Sequence, residues 1–226
     1  MDDRTLYPLM AWLSPGYPVG AYCYSHGLEA AIDRGLVTDR IALRDWIEAL
    51  VRHGDSWIDA CLFSAAYDAA RRQNWPKVAR LCERARAQRP SPEIALEGEA
   101  QGQAFLTATA RAWPHAWFNR LEACRKGPVA YPVAVAVACA AHELAKRASL
   151  IAYLHGFVAN LASAGMRLIP LGQSDGQAVI ADLTHVVMET ADRAPRARLD
   201  DIGTATPMVD WLSIAHETQY TRIFRS

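Results

Sequence analysis

Two short sequences combine histidine with glutamate as metal-dependent hydrolases do. His142-Glu143 and His216-Glu217 each begin like a zinc-protease helix, in which a second histidine stands four residues after the first. Lys146 and Tyr220 occupy that position in this chain, so a pair of histidines on one helical face cannot form. Neither sequence therefore predicts a zinc site.

The segment Cys23 to Gly27 has a serine in a spacing close to that of a nucleophile elbow. The elbow needs glycine where Cys23 stands, and it needs a strand, a tight turn and a helix around the serine. Ser25 is better explained as an N-cap for a helix over Leu28 to Asp33. Cys23 and His26 could bind a soft metal ion weakly, but two ligands are too few for a closed site. Core packing with a capping hydrogen bond is the favoured interpretation.

Sequence features of other enzyme classes are missing from the chain. It has no Gly-x-x-x-x-Gly-Lys-Ser/Thr phosphate loop and no glycine-rich dinucleotide fingerprint. Its five cysteines form no close-spaced pair, which predicts free thiols in a reducing cytosol. Twenty-four basic residues balance twenty-four acidic ones, so we expect neither nucleic acid nor an anionic membrane as a partner. These features favour a cytoplasmic protein and give little support for an enzyme.

Three segments are too distinctive for ordinary core. The loop Ser14 to Tyr22 is punctuated by proline and glycine, and it forms either an internal loop or a partner surface. Arg167 interrupts the apolar run Gly165 to Gln173, so it must pair internally, reach a partner or extend to solvent. The tail Gln219 to Ser226 alternates arginine with large apolar residues, although chain ends are usually polar. We expect the tail to bind a partner, with folding back onto its own core as the alternative.

Helical periodicity dominates the elements that would position these segments. Apolar residues from Leu150 to Leu161 recur on one helical face. Thr38 or Asp39 is a plausible N-cap for another helix. A further helix is predicted from about Ser91 to Ala112, because Trp113-Pro114 disfavours helical geometry beyond it.

The remaining chain also favours helices. The alternating run Val133 to Ala138 is predicted to be helical, because alanine has the highest helix propensity and a lone strand would lack a partner. Gln173 to Thr190 is predicted as helix, Arg193 to Gly203 as a polar connector, and a last short helix begins near Pro207. The fold class is therefore all-α, a single-domain bundle of roughly eight to ten helices over residues 1–226.

Neither end nor middle of the sequence predicts a membrane segment. Met1 to Arg4 is acidic and leads into no long apolar region, so we expect no signal peptide. The apolar stretch Val129 to Ala141 is too short to span a bilayer, and Leu150 to Leu171 contains polar residues.

Four segments resemble signatures of the UreF family of urease accessory proteins. They are Ser14 to Glu29, Arg167 to Gln173, Asp201 to Pro207 and the ending His216 to Ser226. Their order and spacing also match that family, from near residue 6 to the last residue.

The resemblance implies an all-α, non-enzymatic chaperone for assembly of the urease nickel centre. Such a protein scaffolds a complex with the accessory protein UreD (UreH in some organisms) and the GTPase UreG, regulates that GTPase, and acts on apo-urease. It is commonly a homodimer, and nickel transits the complex without a tightly bound cofactor in this chain.

The resemblance also implies site residues. Residues 216–226 form the partner-binding tail, and Arg167 is placed on the GTPase side. The tail residues assigned to UreD binding are Tyr220, Arg222, Ile223, Phe224 and Arg225. Motif residues of unassigned role are Pro18, Gly20, Tyr24, Ser25, Gly172, Gln173, His216 and Glu217.

The sequence departs from the family pattern at two places. Cys23 replaces a residue that is more often a small hydroxyl, and Pro92 to Gly102 lacks the arginine-rich pattern of the family. We further expect the tail to contribute little to the core and to be poorly ordered without its partner. The alternatives are a helical metal-dependent hydrolase, which needs at least three convergent ligands, and a generic helical dimerisation module.

Overall fold

The computed structural model describes residues 3–226, and every regular element in that range is helical. Twelve α-helices and three short 3-10 helices follow one another, which confirms the all-α prediction. Met1 and Asp2, part of the segment for which no signal peptide is predicted, lie outside the described residues. The α-helices are α1 Asp3–Trp12, α2 Leu28–Asp33, α3 Arg40–His53, α4 Asp55–Arg71, α5 Trp75–Ala87, α6 Pro92–Ala112, α7 Ala116–Cys124, α8 Tyr131–Ala141, α9 Lys146–Leu168, α10 Gln173–Asp182, α11 Thr184–Arg193 and α12 Pro207–His216.

Ten of these α-helices have ten or more residues, within the predicted eight to ten, and only α2 and α7 are shorter. One boundary differs, because Gln173–Thr190, predicted as a single stretch, is divided at Leu183 into α10 and α11. The connector after α11 also contains two 3-10 helices, Ala194–Arg196 and Leu199–Asp201. The break at Leu183 has no proline or glycine beside it, so the local sequence gives no signal for it.

Side-chain caps start several helices where the sequence predicts them. Asp39 accepts hydrogen bonds from the amides of Ile41 and Ala42 at 2.8 and 2.9 Å, and α3 follows. Ser91 accepts from the amide of Ile94 at 3.3 Å and opens α6. These caps satisfy amides that lack an intrahelical partner.

Helix α8 is the centre of the core. All ten residues from Pro132 to Ala141 are buried, and α4 and α6 pack against this helix. Gly102 of α6 makes that approach possible, because a Cβ atom there would lie 2.1 Å from the carbonyl oxygen of Val129. The predicted helix over the alternating run is confirmed.

Helix α9 is the only helix among residues 3–226 with the length and apolar composition to cross a membrane. Half of its most apolar window is buried inside the protein. It packs against α3, α4, α10 and α11, so its apolar side chains have partners within the bundle. This is the pattern of a core helix in a helical bundle.

The tail after α12 returns to the body of the protein. Phe224 is 3% exposed and belongs to the same apolar cluster as Leu9 at the other end of the chain. The expectation that the tail adds little to the core is therefore wrong. The reason is that side chains of α2, α6 and α9 contact the tail, as described below.

Candidate functional site

The C-terminal tail binds to a group of polar side chains from α2 and α6, which we call the seat. At its centre lies the carboxylate of Glu29 in α2, and this residue is 5% exposed. Its Oε1 accepts the amide of Ile223 at 2.7 Å, and its Oε2 accepts the amide of Phe224 at 3.0 Å. The Nε2 atom of His216 lies 3.0 Å from the same Oε2. A buried carboxylate must have such partners, and here two of them are the main chain of the tail.

His216 ties this carboxylate to α6. The imidazole is completely buried, and its Nδ1 atom lies 2.9 Å from Oε2 of Glu93. The other oxygen of Glu93 accepts from the guanidinium of Arg222 at 2.6 Å. The motif residue His216 thus connects the end of α12 with both sides of the seat.

Glu97, one helical turn after Glu93, holds the end of the tail. Its Oε2 accepts from the hydroxyl of Ser226 at 2.9 Å. Its Oε1 lies 3.0 Å from Nε2 of His26 and 2.8 Å from Nε2 of Gln101. Ser25 completes the contact, since its amide and its hydroxyl both donate to the main-chain oxygen of Ser226.

Ser25 also supports the start of α2. Its Oγ accepts from the amide of Glu29 at 3.3 Å, although Gly27 rather than Ser25 occupies the N-cap position. His26 and Gly27 both have left-handed backbone, with φ of 53° and 73°. These two residues turn the chain so that Ser25 faces the tail while His26 faces the interior.

His26 belongs to a buried charged cluster shared by α4 and α6. Asp55 lies 3.8 Å from Nδ1 of His26 and 3.6 Å from the guanidinium of Arg89. Arg89 also pairs with Asp59, whose other oxygen accepts from the hydroxyl of Tyr153 at 2.7 Å. The cluster therefore alternates negative and positive groups, as buried charges require.

The charges in this cluster shift each other's pKa values. Burial by itself would lower the pKa of His26, but Glu97 and Asp55 raise it to about 10. Burial opposes ionisation of Asp55, yet His26 and Arg89 outweigh it and hold the pKa of that carboxyl below its usual range. Burial raises the pKa of Asp59 against the opposing effect of Arg89. The ionisation of each of these groups thus depends on the balance between its burial and the charges beside it.

A cavity of about 210 Å³ lies beside this cluster. The N-terminal loop and α9 supply much of its apolar wall, and the charged cluster supplies polar groups. The lining includes Leu13, Val19, His26, Arg89, Ile94, Glu97, Tyr131 and Phe157.

The N-terminal loop is both packed and exposed. Tyr17 is anchored inside, where its hydroxyl lies 2.7 Å from that of Thr109. Gly20 takes a left-handed backbone with φ of 74°, which favours glycine, and Tyr24 is buried. Pro18 and Tyr22 are exposed. The loop thus combines an internal anchor with outward side chains.

Arg167 joins this loop to the tail. Its guanidinium donates to the carbonyl oxygens of Tyr22 at 3.0 Å and of Ser163 at 3.3 Å. The same group lies 4.4 Å from the centroid of the Phe224 ring, in a cation–π contact. Arg167 is exposed, and within the chain it pairs with these carbonyl oxygens and with the Phe224 ring, so its assignment to a partner surface stays a prediction.

The structure separates the predicted tail residues by orientation. Tyr220, Arg222, Ile223 and Arg225 are exposed, and Phe224 is buried. The amide of Arg225 donates to the carbonyl oxygen of Cys23 at 2.8 Å. Phe224, predicted to contact a partner, instead packs into the chain's own apolar cluster, with the guanidinium of Arg167 over its ring.

Other predicted residues lie outside this seat. Gly172 is at the N-cap of α10, where its amide donates to Asp175 at 3.0 Å, and Gln173 is exposed beside it. Glu217 is half-buried just after α12. Among residues 3–226, no group of three or more His, Cys, Asp or Glu side chains is arranged to hold a metal ion.

Sequence reasoning missed the carboxylates that form the seat. Glu29 stands at the end of the first family-like segment, and Glu93, Glu97 and Gln101 follow at four-residue spacing on one face of α6. That spacing was the available signal. The same spacing also occurs on helical faces that are simply solvated. Only the contact with the folded tail shows that these side chains form a binding site.

Comparison with known proteins agrees with the four sequence signatures. The UreF family model matches residues 37–184. Urease accessory protein UreF of Rhodopseudomonas palustris strain HaA2 is 46% identical over 225 residues, covering 100% of this chain and 95% of the relative. Proteins of the same name from Granulibacter bethesdensis and Magnetococcus marinus are 46% and 40% identical, covering 99% of this chain and 95% and 99% of their own lengths. The resemblance is thereby confirmed, and the chain belongs to the UreF family.

Proposed function

We propose that this chain is a urease accessory protein, a chaperone in the maturation of the urease nickel metallocentre. The observation that carries the proposal is the end-to-end similarity to relatives named urease accessory protein UreF. In this role the chain scaffolds a complex with UreD (or UreH) and the UreG GTPase, whose activity it regulates, and acts on apo-urease. It works in the cytoplasm as a homodimer, and nickel is cargo of the complex.

The orientation of the tail supports a narrower assignment for UreD binding. Tyr220 is fully exposed, Ile223 is 68% exposed, and Arg225 also faces solvent. These three side chains are available to a partner, and aromatic and arginine side chains are favoured at interface hot spots. Arg222 is exposed as well, although it pairs with Glu93, whereas Phe224 acts indirectly because it fills the interior.

The contacts of Arg167 also limit the role that we propose for this residue. Its guanidinium already contacts Tyr22, Ser163 and Phe224. We therefore propose that it acts on the GTPase side by holding the loop and the tail together, and that partner contact comes from their exposed residues.

Co-purification and activation of urease test this function. UreD, UreG and the urease subunits are co-expressed with the wild-type chain, without it, or with the Tyr220→Ala/Ile223→Ala double variant. We expect urease activity and UreD recovery to require the wild-type chain and to fall strongly in the variant. Ile41→Ala in α3 is the matched control, since Ile41 is also an exposed isoleucine at 53%.

Point variants are preferable to truncation of the tail. Removing residues 220–226 would also remove Phe224 from the core and Ser226 from Glu97. Loss of UreD binding by a truncated chain would then report unfolding as readily as a lost contact. Urease activation that is unchanged without this chain would refute the proposed function.

The two alternatives make different predictions. A helical metal-dependent hydrolase would bind nickel or zinc tightly and stoichiometrically as an isolated protein, which equilibrium dialysis measures. A generic dimerisation module would self-associate without affecting urease. No contact in the described structure favours either over the accessory role.

A further inference from the structure

At Ile223 and Phe224, the tail is bound through its main chain. The two oxygens of Glu29 each accept one of these successive amides, at 2.7 and 3.0 Å. The side chains on these two residues have opposite environments, since Ile223 is 68% exposed and Phe224 is 3% exposed. The two hydrogen bonds therefore hold the segment at the point where it alternates between outward and inward side chains.

Glu29 is prepared for this contact by the body of the protein. Its own amide donates to Ser25, and its carboxylate lies 3.0 Å from the buried His216. His216 is in turn held by Glu93 at 2.9 Å. A carboxylate fixed in this way loses little additional freedom when it accepts the tail amides, so the interaction is directional and strong.

The other contacts of the tail leave this role to Glu29. Arg222 pairs with Glu93, the amide of Arg225 binds Cys23, and Ser226 binds Glu97. These contacts hold the segment on both sides of Ile223. Only Glu29 accepts the amide of Ile223 itself among the described hydrogen bonds.

We propose that Glu29 is a positioning residue for partner recognition, which fixes the tail in the register that turns Ile223 outward to the accessory partner. This inference rests on the proposed function, because that function supplies the partner. Glu29 is buried and does not touch the partner. It acts through Ile223. If the two amides lost their acceptor, the register of the tail and the orientation of the exposed Ile223 side chain would change.

A double-mutant cycle on the full-length chain tests the inference. Binding of purified UreD partner is measured for the wild type, Glu29→Gln, Ile223→Ala and the double variant. Glutamine replaces one acceptor oxygen by an amide donor, so one tail amide or His216 loses its partner. We expect each single variant to weaken binding by about tenfold or more, the range for a lost charge-assisted hydrogen bond or interface anchor.

The cycle separates positioning from general stabilisation. If Glu29 acts only through Ile223, then Glu29→Gln will not weaken binding further when Ile223 is already alanine. Hydrogen exchange should also show faster exchange of the Ile223 and Phe224 amides in Glu29→Gln. Tyr67→Phe is the control for stability alone, because it removes a 2.6 Å hydrogen bond to Leu144 and should leave UreD binding unchanged.

Glu29→Asp provides a second test if Glu29→Gln does not fold. Aspartate keeps the charge but withdraws the carboxylate by about one methylene, away from the tail amides, so UreD binding should again weaken about tenfold. Normal binding by Glu29→Asp, or additive effects in the cycle, would overturn the inference while leaving the proposed function intact. Absence of binding by the wild type would instead refute the function.

Discussion

The charged state of His26 predicts how stability should change with pH. The imidazole is buried between Glu97 at 3.0 Å and Asp55 at 3.8 Å, with the ring of Phe157 beside it. These carboxylates raise the pKa of His26 from 6.5 to about 10. A pKa that is higher in the folded than in the unfolded state stabilises the fold fully below 6.5, and this contribution is lost as pH rises through 10.

The magnitude follows from the two pKa values. Between pH 6.5 and 8.5 the unfolded histidine loses its proton, whereas the folded one keeps it. Two pH units at 1.36 kcal/mol each, less the half-titrated start, give a loss of about 2 kcal/mol in the free energy of unfolding. Arg89 lies next to Asp55 and remains charged throughout this range.

The assay is urea unfolding of the wild type and of His26→Gln at both pH values. Glutamine can still donate to Glu97 but does not titrate, so His26→Gln should destabilise the protein about 2 kcal/mol more at pH 6.5 than at pH 8.5. Comparing the two proteins cancels the ionisation of the cysteines and other shared groups. An equal destabilisation at both pH values would refute the charged state assigned to His26.

The remaining predictions concern packing of α6 and of the tail. Gly102→Ala should destabilise by at least about 2 kcal/mol, because its Cβ would lie 2.1 Å from the oxygen of Val129. Gly98→Ala on the same helix meets only one atom, at 4.0 Å, and should stabilise by about 0.5 to 1 kcal/mol in the same urea titration. Phe224→Ala should cost about 3 kcal/mol because the ring is buried, whereas Tyr220→Ala should change stability by less than about 0.5 kcal/mol. Equal thermal midpoints for these two variants would contradict the packed tail.

Local features of the helices were predictable from the sequence. Asp39 and Ser91 start helices because each side chain reaches amides only two or three residues away. The alternating run Val133 to Ala138 is helical, as alanine propensity predicts. These interactions involve neighbours in the chain, so the residue types themselves contain the information.

The candidate site was only partly predictable. His26 and His216 were identified from their motifs, but the carboxylates that hold them were not. Arg167 had three possible environments, and in the structure it is exposed and also contacts the loop and the tail. A charged residue in an apolar run must find a partner, but the sequence does not say which distant segment supplies it.

By itself, the sequence determined the helical fold class, several helix boundaries and the family of this protein. Only the tertiary structure decided that the tail belongs to the core and which of its side chains face outward. The contact between Glu29 and Phe224 joins residues that are 195 positions apart. Such a contact depends on where α2, α6 and α12 come together, and local periodicity and propensity carry no information about that arrangement.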